Sequence, residues 1–585
     1  MRKILLSIVS LIAIGAFAQT TSPNGKISVE QKSEGIEISY KNGKTSQTIM
    51  TMPVSSLVSC TKAKKVKVAY DMTLGKKSHC TNAYNEIIYT LGDGKNLTVR
   101  AYNDGVAWSG LHDYNVNFTS ASANWLLKWT DSYEGFFPRN RETKKDERLA
   151  YPALFEYSGN VFALLSESCM QADNAGTSMY ADDNNGIFSL RPDGKENGGW
   201  QTLIIGSMAD VVESTLITDN SEPLKAELYE PQLTNQSGVA AWVYWAYNHG
   251  SNDFSIIKKY VDMAAELHLP YVLIDAEWDE MDKVASNNGK TIEDAVKYAI
   301  DKGIKPIIWY NSSVGWINGA PGPKFRLNKP EDREKEFAWC EKIGVTGVKI
   351  DFFSGDTNLN IKYMIELLEC AAKHHLLVNF HGATIPRGWQ RTYPNLVSTE
   401  GVYGAEWYNN VPTFTDKAAS HNAMLPFTRN VVGSMDYTPC AFTDSQHPHI
   451  TTHAHELALT ALYESGIQHL ADRPESFLSQ PSEVKDYLSA LPAAWDETIF
   501  LSGYPGESAV MARRKGTTWY IAGINGEDSA KTLSFNIKRL NKLGKDIVIF
   551  EDSGDKSSPW KITKPSAVPT SIACQARGGF VIQIK

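Results

Sequence analysis

The sequence predicts a chain of three parts: an N-terminal β-sandwich, a central (β/α)₈ barrel and a small C-terminal antiparallel β-domain. With 585 residues, the chain is too long for a single hydrophobic core. Near both ends, apolar and polar residues alternate, as they do in half-exposed strands. Between the ends, continuous apolar runs alternate with amphipathic helical segments, which is typical of buried parallel strands joined by helices.

Composition and charge narrow the class of protein. The chain is 42% hydrophobic and 21% charged, which is typical of a water-soluble globular protein. Its net charge is −8 and it has no block of basic residues, so we expect no nucleic-acid partner. The 15 Trp and 26 Tyr suit stacking against sugar rings, although core packing accounts for most of them.

The first residues have the pattern of an export signal. Arg2 and Lys3 precede an apolar run, and Ala16-Phe17-Ala18 forms an A-x-A cleavage site. We therefore expect residues 1–18 to be a signal peptide and the protein to be exported, to the periplasm in a Gram-negative cell. No later apolar run approaches the length of about 18 residues that a membrane span needs, so we expect none.

The seven cysteines are scattered along the chain and show no C-x-x-C spacing. This pattern gives little support to a zinc site or to redox chemistry. Cys60 and Cys80 are one candidate disulfide pair, and the pairing stays open at this stage.

The N-terminal region, residues 19–235, is predicted to be the β-sandwich. The stretch KISVEQKSEGIEISYKNGKTSQTIMTMPV alternates apolar and polar residues, and Asn42-Gly43 within it is a hairpin-turn signal. The stretch NLTVRAYNDGVAWSGLHDY continues the pattern. Many short strands with frequent turns are typical of a sandwich.

The central region, residues 236–500, is predicted to be the barrel. Its apolar runs include GVAAWVYWAYN, PYVLIDAEWDE, KPIIWYN, TGVKIDFF and LLVNFHG, with helical segments between them. Counting onward gives about eight strands, which favours a (β/α)₈ barrel. A doubly wound open sheet is the alternative, but no Gly-rich phosphate loop follows the first strand. Residues 501–585 return to alternating strands and form the C-terminal β-domain.

Barrel enzymes hold their reacting groups at the carboxyl ends of the strands. Here those positions carry acids, tryptophans, a lysine and a histidine, namely Asp275, Trp278, Trp309, Lys349, Asp351, His381, Glu400 and Glu406. Glycoside hydrolysis needs two carboxyl groups that flank the scissile bond. The collection therefore suggests a site that cleaves sugars.

Asp351 is the candidate nucleophile. Lys349 points to the same face of the strand two residues earlier and would favour the ionised carboxylate. A structural ion pair is the alternative interpretation of these two residues. Glu406 lies beside Trp407, and an acid against an aromatic surface has the raised pKa that a general acid needs. For Glu406, the alternative is an ordinary exposed loop acid.

The stretch NFHGATIPRGWQRTYPNLVSTEGVYGAEW, with VKIDFF before it and NVVGSMDYTP and AHELAL after it, resembles glycoside hydrolase family 97. Members of this family hydrolyse α-glycosides on a sandwich, a barrel and a small β-domain. The family has a retaining branch with an aspartate nucleophile and an inverting branch that uses glutamate bases. By this resemblance Asp351 is the nucleophile, whereas Asn311 and Gly382 stand where the inverting branch has glutamates.

The resemblance implies an exo-acting retaining α-galactosidase that works through a glycosyl-aspartate intermediate, with Glu406 as acid/base. Its substrate would be an α-linked oligosaccharide or a galactoside. We expect Lys349 and Asp275, together with Trp278, Trp309 and His381, to bind the sugar. The alternatives are an inverting or retaining α-glucosidase, a β-L-arabinopyranosidase, and a secreted carbohydrate-binding protein without activity.

The resemblance also implies one calcium ion. Its expected ligands are Glu400, Glu406 and, from the sandwich, Glu167 in ALLSESCM. Calcium accepts carboxylate oxygens and would hold two barrel loops against the sandwich. The oligomeric state stays open.

Overall fold

The computed structural model describes residues 19–54, 57–229, 236–244, 249–408, 411–444, 447–555 and 557–585. The predicted signal peptide, residues 1–18, therefore lies outside the described residues. Three sheet regions follow one another along the chain. They match the predicted order of a sheet-rich N-terminal domain, a barrel and a C-terminal β-domain.

The N-terminal domain is an antiparallel sheet of sixteen strands that folds over on itself, so that β2 lies against β8. The strands are β1 Gln19–Thr21, β2 Ile27–Lys32, β3 Gly35–Asn42, β4 Thr45–Met52, β5 Leu57–Cys60, β6 Lys64–Asp71, β7 His79–Leu91, β8 Asn96–Tyr102, β9 Gly105–Ser109, β10 Tyr114–Asn117, β11 Ala123–Lys128, β12 Arg148–Tyr157, β13 Val161–Ser168, β14 Thr177–Ala181, β15 Ile187–Pro192 and β16 Trp200–Gly206. The predicted alternation appears in β2, where Ile27 and Val29 are buried between more exposed neighbours. Two short helices, α1 Met208–Glu213 and α2 Leu216–Asp219, lead towards the barrel.

The central region is a parallel, barrel-like sheet. Its seven regular strands are β17 Gly238–Val243, β18 Tyr271–Ile274, β19 Lys305–Asn311, β20 Gly347–Asp351, β21 Leu377–Phe380, β22 Leu396–Thr399 and β23 Ile467–Leu470. Successive strands pair in parallel from β17 to β22, and β23 pairs with β17. All but the first residue of β19 are buried, as expected of strands covered on both faces.

Helices surround this sheet and connect its strands. They are α3 Phe254–Glu266, α4 Ile292–Asp301, α5 Pro330–Ile343, α6 Asn358–Lys373, α7 Trp389–Thr392, α8 Pro412–Asn422, α9 His453–Leu462, α10 Pro474–Leu478 and α11 Ser482–Ser489. Short 3₁₀ helices lie at Ala226–Leu228, Trp278–Lys283, Ala285–Asn287, Ala405–Tyr408, Leu425–Phe427 and Arg429–Val431. In α3 one face is buried, since Ile257, Tyr260, Val261 and Ala264 all face inward.

The predicted barrel is confirmed, with one difference in the regularity of its strands. Between β22 and β23, the described residues form no eighth regular strand. Instead, the irregular segment around Met435 and Asp436 spans the gap: Met435 N donates to Glu464 O at 2.9 Å and Asp436 N donates to Thr399 O at 3.3 Å. These two hydrogen bonds close the barrel between β22 and β23, without the regular backbone pairing of an eighth strand.

The C-terminal domain is confirmed as an antiparallel β-domain. Its six-stranded sheet has the order β24-β25-β26-β31-β28-β29, beside a two-stranded sheet of β27 and β30. The strands are β24 Glu497–Tyr504, β25 Ser508–Lys515, β26 Thr518–Asn525, β27 Lys531–Ser534, β28 Ile547–Asp552, β29 Trp560–Thr563, β30 Ser571–Cys574 and β31 Gly579–Ile584. Helix α9 of the barrel packs against β26 and β31.

The candidate disulfide between Cys60 and Cys80 is not formed, since all seven cysteines are free. Cys60 is in β5 and pairs with Tyr89, near the end of β7. Cys80 is near the start of β7 and pairs with Tyr70 of β6. The strand pairing therefore places the two cysteines near opposite ends of β7, too far apart to form a disulfide. Within the described part of the chain, no helix combines the length and the apolar composition needed to cross a membrane.

Candidate active site

A cavity of about 480 Å³ lies at the carboxyl ends of the barrel strands. Its walls include residues in or just after four of those strands, namely Asp275 after β18, Lys349 and Asp351 in β20, Gly382 after β21 and Glu400 after β22. Glu406 and Trp407 contribute from the loop after β22. The barrel geometry therefore brings together side chains that are far apart in the sequence, as it does in other barrels.

The sandwich forms another wall of this cavity. Its loop between β11 and β12 contributes Asp131, Ser132 and Glu134. Ser132 Oγ donates to Glu134 Oε2 at 2.6 Å, and Trp407 Nε1 of the barrel donates to Glu134 Oε1 at 2.6 Å. The cavity is thus lined by residues of both the sandwich and the barrel.

Lys349 and Asp275 form a buried ion pair on the cavity floor. Lys349 Nζ donates to Asp275 Oδ2 at 2.9 Å, and that oxygen also accepts from Trp242 Nε1 at 2.8 Å. Burial alone would lower the pKa of Lys349, but the carboxylates of Asp275 and Asp351 outweigh it and raise that pKa above its ordinary value. Lys349 is therefore a fixed positive charge beneath the reacting groups.

Asp351 lies at the end of β20 and is 8% exposed. Its Oδ2 accepts from Trp309 Nε1 at 3.1 Å and lies 3.9 Å from Lys349 Nζ, while its Oδ1 accepts from Phe352 N at 2.7 Å. Burial raises the pKa of Asp351 above its ordinary value, and the charges of Lys349 and His381 offset part of that increase. These donors orient the carboxylate and favour its ionised form, as a nucleophile requires.

Three glutamates share one region of the cavity. Burial and the charge of Glu400 raise the pKa of Glu134 to about 8, and burial together with Glu400 and Glu134 raises the pKa of Glu406 well above its ordinary range. A Glu406 that holds its proton at neutral pH can act as a general acid. The same repulsion means that a divalent cation bound between these carboxylates would relieve unfavourable charge.

His381 braces Glu400 from behind the cavity wall. Its Nδ1 lies 3.3 Å from Glu400 Oε1, and its Nε2 lies 2.7 Å from Asp436 Oδ2. Burial opposes the charged ring, but Glu400 and Asp436 hold the pKa of His381 well above its ordinary value. His381 in turn keeps the pKa of Glu400 low despite burial, so Glu400 is the anionic member of the group.

Family models match most of the chain. The model of glycoside hydrolase 97 matches residues 238–402, the glycosyl-hydrolase 97 N-terminal model matches residues 20–223, and the model described as glycosyl-hydrolase 97 C-terminal, oligomerisation matches residues 494–585. A protein of Streptomyces bingchenggensis named as a probable retaining alpha-galactosidase is 37% identical over 465 residues, covering 74% of this chain and 69% of the other. The chain belongs to glycoside hydrolase family 97. It is therefore a glycosidase, and the alternative of an inactive carbohydrate-binding protein is set aside.

Two further relatives of this family 97 glycosidase are informative. A retaining alpha-galactosidase of Bacteroides thetaiotaomicron is 28% identical over 376 residues, which cover 60% of this chain and 54% of that protein. The crystal structure of a beta-arabinopyranosidase superposes with a TM-score of 0.86 at 25% identity and covers 97% of this chain and 100% of the other. Proteins similar to this chain thus carry two different substrate names.

The cavity of the family 97 enzyme contains most of the site residues predicted from the sequence. Asp275, Trp309, Lys349 and Asp351 line it together with Glu400 and Glu406. His381 does not line it, because its two ring nitrogens face Glu400 and Asp436. We therefore correct its role from sugar ligand to a positioning residue for Glu400.

The prediction that Trp278 stacks against the sugar is wrong. Trp278 is 3% exposed, donates its Nε1 to Trp309 O at 2.7 Å and stacks against Trp339. It packs the outer side of the strand ends instead of facing the cavity. Trp242 and Trp316 line the cavity in its place.

The prediction that Glu167 joins the calcium ligands is also wrong. Glu167 is fully buried between the sandwich and the barrel, where its Oε2 accepts from Arg387 Nε at 2.8 Å. Its Oε1 accepts from Gly199 N and Thr177 Oγ1 at 2.8 and 2.7 Å. Its Oε2 is used in an interdomain ion pair and its Oε1 in bonds within the sandwich, and Glu167 is not among the residues that line the cavity.

Glu134 is a sandwich acid of the cavity that no sequence pattern identifies. It lies in a short irregular loop, SYEGF, with no spacing that relates it to the barrel residues. Only the packing of that loop over the strand ends brings it beside Glu400 and Glu406. His381, Glu400 and Glu406 offer ligand atoms within 4.8 Å of one another. Glu134 lines the same cavity from the opposite domain.

Proposed function

We propose that this family 97 glycosidase is an exo-acting retaining α-galactosidase. The proposal depends chiefly on one observation: Asp351 presents its carboxylate in the cavity next to Gly382, where a side chain at 382 would occupy the same space. The names of the Streptomyces and Bacteroides relatives support the same mechanism and substrate. The reacting groups lie at the bottom of a pocket, which favours attack on a terminal sugar.

The space around Gly382 supports retention over inversion. Gly382 has φ +49°, and a Cβ built there would meet Phe352 N at 2.8 Å and Asp351 Oδ1 at 2.9 Å. A side chain at 382 and the Asp351 carboxylate therefore compete for one space. Asn311, the other position of the inverting bases, uses its side chain to brace the loop after β19, since its Nδ2 donates to Trp316 O at 3.2 Å.

The proposed reaction has two steps. Asp351 attacks the anomeric carbon, and Glu406 donates its proton to the glycosidic oxygen, so that the aglycone leaves and a glycosyl-aspartate ester remains. Glu406, now a carboxylate, removes a proton from water, which attacks the same carbon and releases Asp351. Lys349 and Asp275 provide a charged floor that hydrogen-bonds sugar hydroxyls.

The anomer released first tests the mechanism. With p-nitrophenyl α-D-galactopyranoside, followed by proton NMR at early times, we expect α-galactose to appear before mutarotation produces the β-anomer. Initial release of β-galactose would overturn the retaining assignment. The α-glucoside is run beside it, and we expect much slower cleavage.

A β-L-arabinopyranosidase is the second candidate, favoured by the likeness to the beta-arabinopyranosidase structure. The two sugars share the ring configuration and differ by the hydroxymethyl group at C5. A site with a place for that group gains about 1–3 kcal/mol from it. We therefore expect kcat/KM to be higher for the α-galactoside than for p-nitrophenyl β-L-arabinopyranoside, and the reverse order would reassign the substrate.

We also propose that the cavity binds one calcium ion through Glu134, Glu400 and one oxygen of Glu406, whose other oxygen carries the catalytic proton. Three carboxylates from two domains are a donor set that suits calcium. Burial is the main cause of the raised pKa values of Glu134 and Glu406, and the charge of Glu400 adds to it, which a bound cation would offset. Bound there, calcium would supply positive charge at the cavity rim. The sandwich loop would then be held against the barrel. Export to the periplasm is proposed on the sequence pattern of residues 1–18.

Glu134→Gln and Glu167→Gln form a matched test of the calcium ligands. In calorimetric titrations of protein treated with EGTA, we expect Glu134→Gln to weaken calcium binding and Glu167→Gln to leave it unchanged. Glu167→Gln instead removes a buried partner of Arg387 and should lower the free energy of unfolding by about 3 kcal/mol. If calcium binding were weakened in Glu167→Gln and not in Glu134→Gln, Glu167 would be the sandwich ligand of calcium, as predicted from the sequence.

A further inference from the structure

Three metal-ligating side chains of different types meet on the outer surface of the barrel, away from the cavity. They are Glu334 of α5, Cys370 of α6 and His374, which directly follows α6, and their ligand atoms lie within 4.8 Å of one another. Cys370 is buried, His374 is half-buried and Glu334 is exposed, so the cluster opens to solvent on one side. We propose that these residues bind a transition-metal dication of the zinc type, with water as the fourth ligand.

Two distances within the cluster are close to the ligand spacing around a tetrahedral ion. Glu334 Oε2 lies 3.4 Å from Cys370 Sγ, and Glu334 Oε1 lies 3.1 Å from His374 Nε2. Around zinc, with bonds of about 2.3 Å to sulfur and about 2.0 Å to nitrogen or oxygen, neighbouring ligand atoms lie about 3.3–3.6 Å apart. Cys370 and His374 contact different oxygens of Glu334, so the Glu334 carboxylate would turn to present one oxygen to the ion.

A second carboxylate orients the histidine for this role. Glu341 Oε2 lies 3.1 Å from His374 Nδ1, and Glu341 Oε1 lies 2.7 Å from His375 Nδ1. Histidines that bind zinc typically donate their other ring N–H to a carboxylate, which fixes the tautomer. Here a proton on Nδ1 directed at Glu341 leaves the lone pair of Nε2 facing Cys370 and Glu334.

The ligand types select the class of metal. A thiolate, an imidazole and one carboxylate suit zinc, whereas calcium and magnesium prefer sites made of oxygen alone. The thiolate and the carboxylate together neutralise the two positive charges of the ion. Cys370 and His374 are four residues apart and so lie on one face of the helix, and Glu334 approaches from the neighbouring helix.

The position of the cluster indicates what the metal would do. Helix α5 leads into β20 and helix α6 follows it, and β20 ends at Asp351. A metal at Glu334, Cys370 and His374 would cross-link the two helices that flank this strand. We infer a stabilising role for the strand that bears Asp351, independent of the substrate and of the calcium proposed in the cavity.

Cobalt provides a spectroscopic test with the full-length protein kept in excess calcium. Titration with Co²⁺ should produce an intense thiolate-to-cobalt charge-transfer band and the visible absorption of tetrahedral Co²⁺, both lost when Zn²⁺ is added. Cys370→Ala should abolish the charge-transfer band, and Cys60→Ser, at an exposed cysteine of β5, should retain it. A missing band in the unmodified protein, or one that persists in Cys370→Ala, would overturn the proposal.

Cys370 is buried, so Cys370→Ala could fail to fold. Variants of the more exposed residues around the cluster therefore provide a second test. In calorimetric titrations with Zn²⁺, we expect Glu341→Ala to weaken binding by about 10- to 100-fold and His374→Gln to weaken it at least as much. His112→Gln, at an exposed histidine of the sandwich, serves as the matched control and should bind normally. Zn²⁺ should raise the Tm of the unmodified protein but not that of His374→Gln, and equal affinities or equal Tm shifts would refute the site.

Discussion

Asp351→Asn is expected to lower kcat/KM by about 10⁴- to 10⁶-fold, since removing the nucleophile of a covalent mechanism has effects of this size. The amide keeps the shape of the carboxylate, and its one oxygen can still accept from Phe352 N, whereas its NH₂ group cannot accept from Trp309 Nε1. Lys349 keeps its closer partner, Asp275, at 2.9 Å. We therefore expect the Tm and the KM to change little while turnover collapses.

Chemical rescue distinguishes a lost nucleophile from a distorted site. Asp351→Gly opens space on the cavity floor, and azide added at high concentration should attack the anomeric carbon from the side that the carboxylate occupied. The product would be β-galactosyl azide, with inverted configuration, identified by NMR. Near-normal turnover in Asp351→Asn would show that another group is the nucleophile, and an α-azide would place attack on the other face.

Glu406→Gln is expected to lower kcat/KM by about 10²- to 10⁴-fold for galactosides with alkyl or sugar aglycones. These leaving groups need a proton, which glutamine cannot supply. A p-nitrophenyl galactoside leaves as a stable phenolate, so its first step should be affected far less. The size of the loss should therefore increase with the pKa of the leaving alcohol.

The pH profile gives the second readout for Glu406. A general acid must be protonated, so kcat/KM of the unmodified enzyme should fall as the pH rises through the pKa of Glu406. In Glu406→Gln this alkaline limb should disappear, whereas in Glu167→Gln, a matched change at a buried glutamate outside the cavity, it should remain. An unchanged alkaline limb in Glu406→Gln would assign the proton donor elsewhere.

Much of the fold follows from local sequence patterns. Alternation in the end regions predicts the antiparallel strands, and the apolar runs predict β17 to β22, because burial on both faces demands continuous apolar side chains. The irregular closure around Met435 and Asp436 was not predictable in this way. This segment is held by hydrogen bonds to Glu464 and Thr399, which belong to other parts of the chain. Its own sequence therefore shows no alternation of the kind that predicts a strand.

The barrel half of the active site also follows from the sequence. Asp351, Lys349 and Asp275 end or follow their strands, and parallel strands bring their carboxyl ends to one rim. The same reasoning placed Trp278 at the rim but could not show which way it faces. That direction depends on its packing against Trp339 of α5, a residue far along the chain.

By itself, the sequence determined the three-part architecture, the family resemblance and the residues at the strand ends, because these depend on periodicity and motifs within short segments. Only the tertiary structure decided that Glu134 and not Glu167 faces Glu400, and that Glu334 meets Cys370 and His374. Both groupings join side chains from different domains or helices. Their proximity is produced by packing, which no spacing along a single segment encodes.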